Sequence, residues 1–515
     1  MRMRFLPVGP RTLLVELADL DATLALFHAL AADPVEGVTE IVPAARTLMV
    51  RVGPGHAADG RLAGAILARQ PAPGAARPPQ ATETVEIPMT YDGQDLDDVA
   101  RHMGLTVAEV IAAHQAATWT VAFCGFAPGF AYMTGDDPRF DLPRRPAPRT
   151  RIPAGSVALA ARFCGVYPQD SPGGWQLIGT TRLPMWDLSR DPPALLRPGL
   201  RARFVEGAAQ VHPSAPPPRP QGRPALTIVQ TAFPILFQDE GRAGQAGQGV
   251  SGSGALDLGA MRRANRAVGN LSNAPVLEIT LGPVRLRAEQ AVTLALTGAG
   301  LAVVEGRTMP PAFALDAGDE VLIPPPQTGM RSYLALRGGF DVAPVLGSAA
   351  TDTLAGIGPA PLAAGDGLAA AHRPALAVAA PEDQPVLPGP GDLVDLPVTL
   401  GPRADWFSPE MIARFLSQEW RVTPQSSRVG IRLAGDPVTR DDARELPSEG
   451  TETGAIQIPH DGQPVLFLAD HPLTGGYPVI ATLLPCALDL AGQIPPGARI
   501  RFTAAAPFHE TRPDP

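Results

Sequence analysis

The chain has 515 residues, 45% of them apolar, and a formal net charge of −9, a length that suits three or four domains rather than one core. The acidic balance and the lack of a basic run exclude a nucleic-acid partner. No run of about 20 apolar residues occurs, and Arg2, Arg4, Pro7, Pro10, Arg11 and Glu16 interrupt any apolar leader, so neither membrane nor export is expected and the cytoplasm is the expected location. All 42 basic residues are arginines. That excludes a biotinyl-lysine, a Schiff base, a lysine general base and a Walker lysine, and a guanidinium does not replace them as a proton carrier. The 60 prolines and 53 glycines point to a β-rich protein with many turns. Cys124, Cys164 and Cys486 lack C-x-x-C spacing and are odd in number, which fits a reducing compartment.

In chain order, Thr12–Glu16 alternates as a strand, Asp19–Ala32 has helical periodicity and Thr47–Val52 is a second strand. This predicts a small β-α-β unit over 1–78. A Pro/Ala-rich linker follows near Gln70–Gln80. The second domain, 82–206, starts with the strand Glu83–Met89. Two short helices come next, the second with Thr106 and Glu109 as a capping box and His114 in its last turn. From Trp119 to Phe204, short strands broken by Gly and Pro predict a β-barrel or sandwich. Val211–Arg223 (VHPSAPPPRPQGR) is a semi-rigid joint inside a linker over 207–224. From 225 to 504 the chain is again β-rich. A helix is predicted over Ala255–Val268 and a looser segment over 359–390. No short solenoid repeat is present.

Several motifs carry polar residues that need a role. Pro172-Gly173-Gly174-Trp175 is either a turn exposing backbone N–H groups or a plain β-turn with a packed ring. Gly247 to Gly252 matches G-x-G-x-x-G, but no strand leads directly into it, so a dinucleotide site is excluded. The remaining expectation is an anion held at a helix N-terminus. Asp239 and Arg242 flank this loop and Asp257 starts the helix; a surface ion pair and a dipole-favoured acid are the plain alternatives. Asn265 and Asn270 offer amide groups, with Asn270 alternatively a left-handed cap. Glu449 sits on a glycine-adjacent turn, and Asp470 and Tyr477 flank Gly475 and Gly476. The nine histidines show no metal spacing, and no metal is expected. There is no G-x-S-x-G elbow.

The first-half motifs are FCGFAPGFAYMTG (Phe123–Gly135) and the stretch Pro148–Thr181. With IPMTYDGQDLDDVA before them and His114 between, they resemble the family of allophanate hydrolase subunit 1, which includes the B subunit of 5-oxoprolinase and the C/D part of the urea carboxylase carboxyltransferase domain. In the second half, Phe237–Asn270, Tyr333–Ser348 and Ser448–Leu484 resemble the family of allophanate hydrolase subunit 2, which includes the C subunit of 5-oxoprolinase and the carboxyltransferase A/B part. The resemblance implies a mainly β protein: an α+β N-terminal domain and tandem cyclophilin-like β-barrel domains around a shared cleft. It implies a fusion of the B and C subunits that hydrolyses 5-oxo-L-proline to L-glutamate only with a separate A subunit of the lactam-utilisation type. ATP would be a co-substrate, bound by this chain or with the partner, and no biotin would sit on this chain. A homo-oligomer is compatible with this reading. The implied catalytic groups are Asp239, Glu449, Asp470 and, as base, His114. Arg242, Asp257, Asn265, Asn270, Gly173, Gly174, Trp175, Gly475, Gly476 and Tyr477 are the implied substrate or anion contacts. The sequence departs from its relatives at Ala349-Ala350 and at Pro361–Ala364, which puts the anion contacts of that loop in question. Two other readings stay open: the carboxyltransferase of a biotin-dependent, urea-carboxylase-type system, and a non-enzymatic histidine-kinase regulator.

Overall fold

The computed structural model describes residues 3–72, 83–145, 147, 149–207, 222–380, 382–440 and 444–514. Most of the two linkers read from the sequence lies outside the described residues. The first unit is a four-stranded antiparallel sheet, in the order Arg4–Gly9, Thr12–Glu16, Thr47–Val52, Val38–Pro43, with helices Leu20–Ala32 and Gly60–Leu67. The β-α-β expectation therefore missed both edge strands and a helix. Pro7 and Pro43 disguise the edges, where a residue without an N–H is tolerated because no neighbour needs it. Asp19 caps the first helix through a bond from Ala22 N, as its position before the periodic stretch predicts.

A seven-stranded sheet follows, wrapped around its own apolar core. Its first strand, Thr84–Met89, runs parallel to its last, Arg201–Glu206. The capping box of Thr106 and Glu109 is present on the helix Val107–Ala116. The middle unit packs a six-stranded sheet against a five-stranded one, with the helix Leu258–Ala267 on the latter. After it, 371–380 and 382–390 carry no helix or strand. They lie back on the unit through bonds such as Leu376 N to Gly269 O (2.7 Å) and Gly329 N to Pro388 O (2.7 Å). The last unit is a closed seven-stranded barrel. The chain end then returns to the first unit, with Thr511 N bonding Phe5 O and Asp514 N bonding Gly60 O, both at 2.8 Å. Among the described residues no helix is long and apolar enough to cross a membrane.

The two barrels repeat one design that the sequence hides. In each, the first and last strands pair in parallel, with Ile87 opposite Phe204 and Leu396 opposite Phe502. In each, a tryptophan after the helix donates its indole N–H to the carbonyl five residues back: Trp119 to His114 (3.3 Å) and Trp420 to Phe415 (3.0 Å). In each, that helical residue stacks on the last strand, His114 on Phe204 at 4.5 Å and Phe415 on Phe502 at 4.8 Å between ring centroids. His114 thus fills the place of a core phenylalanine. It is fully buried, bonds Tyr91 through Nδ1 (2.8 Å) and meets Cys164 Sγ through Nε2 (3.6 Å). Burial depresses its pKa to about 3, because an imidazolium has no counter-charge in this core. The residue expected as general base packs inside the barrel core, shielded from solvent. His114→Phe is expected to change stability by less than about 1.5 kcal/mol, the worth of the lost hydrogen bond. His114→Ala should cost about 3 kcal/mol through its cavity. Urea unfolding measures both, and equal losses would remove the equivalence with Phe415.

Candidate functional site

The two halves meet along the motifs. Phe126 sits at φ 65, a left-handed conformation that a non-glycine residue adopts only when its surroundings fix it. Its N–H donates to Thr474 Oγ1 at 3.0 Å. Gly129 N donates to Gln248 O at 2.9 Å, and Ala194 N to Gln248 Oε1 at 3.2 Å. Gly249 has φ 77, and a Cβ there would lie 2.6 Å from the Ala127 carbonyl. Of the three glycines in the G-x-G-x-x-G stretch, it is Gly249 that lets two backbones approach. The anion expectation for the following helix fails for a physical reason. Its free N–H groups are already taken, Leu258 and Gly259 by the Asp489 carboxylate at 3.0 Å each and Ala260 by Asp257 at 2.7 Å.

At this seam lies a cleft of about 290 Å³, lined by Arg4, Glu16 and Arg46 from the first half and by Arg403, Asp405, Trp406, Arg444 and Leu446 to Glu449 from the second. Glu449 is carried by a two-residue strand paired with Thr474–Gly475, so Gly475 belongs to the frame of the cleft. The Arg403 guanidinium grips Glu449 with two bonds, one of them Nε to Oε2 at 3.0 Å, and reaches Glu16 at 3.1 Å. Arg4 joins Glu16 (2.8 Å), Asp405 (2.6 Å) and Glu510 (2.8 Å). Arg403, Arg440 and Arg444 all stand 5.3–6.0 Å from the Trp406 ring centre, within cation–π range. Burial pushes the Glu449 carboxyl up, with Arg403 opposing. Ser448 is fixed from the first half, its carbonyl accepting Ala45 N at 3.2 Å. Four arginines and three carboxylates, Glu16, Asp405 and Glu449, line the cleft, an excess of one fixed positive charge whose guanidinium donors suit an acidic small molecule or a phosphoryl group.

The chain matches the family models described as carboxyltransferase domain, subdomain C and D, over 3–196 and carboxyltransferase domain, subdomain A and B, over 248–504. The chain belongs to the carboxyltransferase-domain family. Its second half is 39% identical over 287 residues to the C subunit of 5-oxoprolinase from Escherichia coli strain K12, covering 54% of this chain and 90% of that protein. The first half is 47% identical over 124 residues to the B subunit of 5-oxoprolinase from Escherichia coli O157:H7, covering 24% of this chain and 57% of that protein. The crystal structure of TTHA0988 superposes with a TM-score of 0.83 and 35% identity over 96% of this chain and 99% of that one. Segments akin to the B and C subunits are thus joined in one polypeptide.

Within this carboxyltransferase frame the sequence-selected residues separate. Glu449 and Gly475 frame the cleft, and Gly476 and Tyr477 follow in the same turn, with Tyr477 edge-on to His460. Asp239, Arg242, Asp257 and Asp470 belong to a buried polar network in the second half. Asp239 and Arg242 are not the surface pair of the plain reading: both are buried, and Asp239 accepts from Ser348 Oγ (2.6 Å), Ala349 N (2.7 Å) and Gly241 N (2.8 Å). It holds the departing Gly347–Ala350 turn and borders a second cavity of about 330 Å³ with Asn270 and Arg373. Asp257 is an N-cap that also accepts Gln493 Nε2 at 2.8 Å, and burial raises its pKa. Asn265 donates to Ser272 O and Ala274 O. Asn270 donates to Leu336 O and accepts Gly338 N. The left-handed cap is Gly269, at φ 74, rather than Asn270. Gly173 packs on Tyr167, Gly174 O accepts Arg145 N, and Trp175 is buried against Phe130 and Tyr132. This is the packed-ring alternative.

Arg403 and Arg428 are not marked by the sequence, yet they hold Glu449 and Asp470, with Glu278 sharing Arg428. Their signal is weak, because a lone arginine in a lysine-free chain has no local mark. Removing one member of a buried pair costs about 3–5 kcal/mol, whereas replacing both with apolar groups is near neutral. Arg403→Met is therefore expected to destabilise by that amount, and Arg403→Met with Glu449→Leu to recover most of it. Chemical denaturation of the parent, single and double variants measures the coupling.

Proposed function

We propose that this chain is the joined B–C component of an ATP-dependent 5-oxoprolinase, converting 5-oxo-L-proline to L-glutamate with a separate A subunit. The observation that carries the reading is the cleft built by both halves, in which Arg403 holds the buried Glu449 and Arg4, Arg46 and Arg444 share the lining with Glu16 and Asp405, in a chain whose halves are related to the B and C subunits of that enzyme. A five-membered lactam recloses readily because its amine and carboxyl stay at high effective concentration, so opening needs coupling to ATP. In the proposed course the lactam oxygen takes the γ-phosphoryl group as its bond to ADP breaks. Water adds to the ring carbon, and the C–N bond breaks with the nitrogen taking a proton. A second water splits the resulting acyl phosphate into glutamate and phosphate. Arginine donors stabilise the phosphoryl oxygens, and Glu449 orients water. A cleft of about 290 Å³ is at the small end for ligand pockets. It suits a ring acid or a phosphoryl group, and the nucleoside of ATP would be held with the partner.

Glutamate and phosphate release from 5-oxoproline and ATP tests this, with the chain alone, the A subunit alone and the mixture. Release is expected only in the mixture, and Glu449→Gln should lower it about 100-fold or more. A mixture that forms a complex yet releases neither product overturns 5-oxoproline as the substrate.

A further inference from the structure

Away from the cleft, Arg242 poses a separate problem. It is 3% exposed, and its Nη2 donates to the Ala350 carbonyl. Among the described residues its Nε and Nη1 have no acceptor. A charged donor out of water and unpaired is costly, and burial lowers its pKa despite the nearby charges of Asp352, Asp239 and Asp470. Arg242 N bonds Gly252 O at 2.8 Å, and the residues on either side of Gly252 each hold a carboxylate. Ser251 Oγ donates to Asp352 Oδ2 at 3.2 Å, and Ser253 Oγ to Asp470 Oδ1 at 2.7 Å.

The two carboxylates differ. Asp470 takes two bonds from Arg428, both 2.9 Å, and two from Thr353 (2.8 and 2.7 Å). Burial works against its charge, but Arg428 outweighs it and keeps Asp470 below the ordinary range. Among the described residues Asp352 has no cation bonded to it. Its Oδ1 accepts Leu354 N (3.0 Å) and Ala355 N (2.8 Å), and its Oδ2 faces Ser251. Burial, then the charge of Asp470, pushes it up to about 6, with Arg242 opposing. Neighbouring carboxyls driven apart in this way become one fixed anion and one proton carrier. Asp239, the third acid near Arg242, is occupied by the Ser348–Ala349 turn.

We infer that Arg242 and Asp352 form a binding site for a small oxyanion, of carboxylate or phosphoryl type, which pairs with Arg242 and enters together with a proton taken up by Asp352. An oxyanion supplies acceptors to the two unpaired nitrogens, which a cation or an apolar group does not. Entering near Asp239, Asp352 and Asp470 it would meet several carboxylates, and protonation of Asp352 removes one negative charge. The loop that covers Asp352 lies on the seam between the halves, since Leu354 O accepts Gln169 Nε2 at 3.0 Å.

Isothermal titration calorimetry of the full chain tests this with 5-oxo-L-proline and, separately, with sulfate, a phosphoryl stand-in that does not titrate here. Saturable binding of at least one is expected, about tenfold or more tighter near pH 5 than near pH 8. Arg242→Gln should lose it, with folding checked by thermal unfolding. Asp352→Asn should bind near pH 8 as tightly as the parent near pH 5, and this variant decides the matter if Arg242→Gln does not fold. Binding of 5-oxo-L-proline assigns the site to a carboxylate, and binding of sulfate alone to a phosphoryl group. No saturable heat with either ion near pH 5, or Asp352→Asn keeping the parent's pH dependence, overturns the site. No step uses the A subunit or turnover, so failure here and failure of the oxoprolinase reading are distinct results.

Discussion

The Arg428 guanidinium is out of water, and a buried cation persists only where carboxylates and carbonyls replace its hydration. Here Glu278 of the middle unit lies at 2.5 Å, the Gly254 carbonyl at 2.6 Å and Asp470 of the last barrel at 2.9 Å. Separating the two units would strand charges on both sides. The same contact orders what surrounds it. Glu278 accepts Leu256 N (3.1 Å) and Tyr333 Oη (2.9 Å), and Tyr333 Oη in turn accepts Asp257 N (2.8 Å). The start of the helix, the strand carrying Glu278 and the turn carrying Asp470 are therefore one polar frame.

That frame explains why the motifs cluster without all being catalytic. The Gly247–Gly254 stretch faces the first half through Gln248 and Gly249, and faces the frame through Ser251, Ser253 and Gly254. It needs glycine because backbones pass close on one side, and it needs serine because carboxylates must be held on the other. Phe126, strained at φ 65 and bonded to Thr474, is the first half's counterpart. Thr474 lies on the strand paired with Glu449. The seam and the cleft are thus set by one short ribbon of the second half.

What could be read from the sequence was local. Thr12–Glu16, Thr47–Val52, the helix after Asp19 and the Thr106–Glu109 cap each depend on residues within a turn or a strand. The edge strand Arg4–Gly9 did not reveal itself, because Pro7 argues against a strand unless its edge position is known. Ion pairs were hidden by separation in the chain: 46 residues between Arg403 and Glu449, 150 between Glu278 and Arg428. His114 was misleading for another reason. Its place in the last turn suits a helix-dipole cation or a catalytic base, and only its equivalence with Phe415 across two diverged barrels identifies it as core.

The lack of lysine gives the electrostatics one further constraint. Every side-chain cation other than histidine is a guanidinium, which keeps its charge at all physiological pH values. Among the described residues the buried histidines are His114 and His471, and burial shifts both toward the neutral form. The guanidinium charges of the interior are fixed, and the buried carboxyl groups are the acids left to respond to pH. Glu278 and Asp470 share Arg428, and Glu449 shares Arg403 with Glu16. Asp352 is buried beside a negative neighbour without a guanidinium bonded to it, and the arginine nearest in charge, Arg242, has two donors unspent. The unspent positive charge and a carboxyl raised by burial and by a negative neighbour thus occupy the same place in the fold, where binding an anion and taking up a proton become one event.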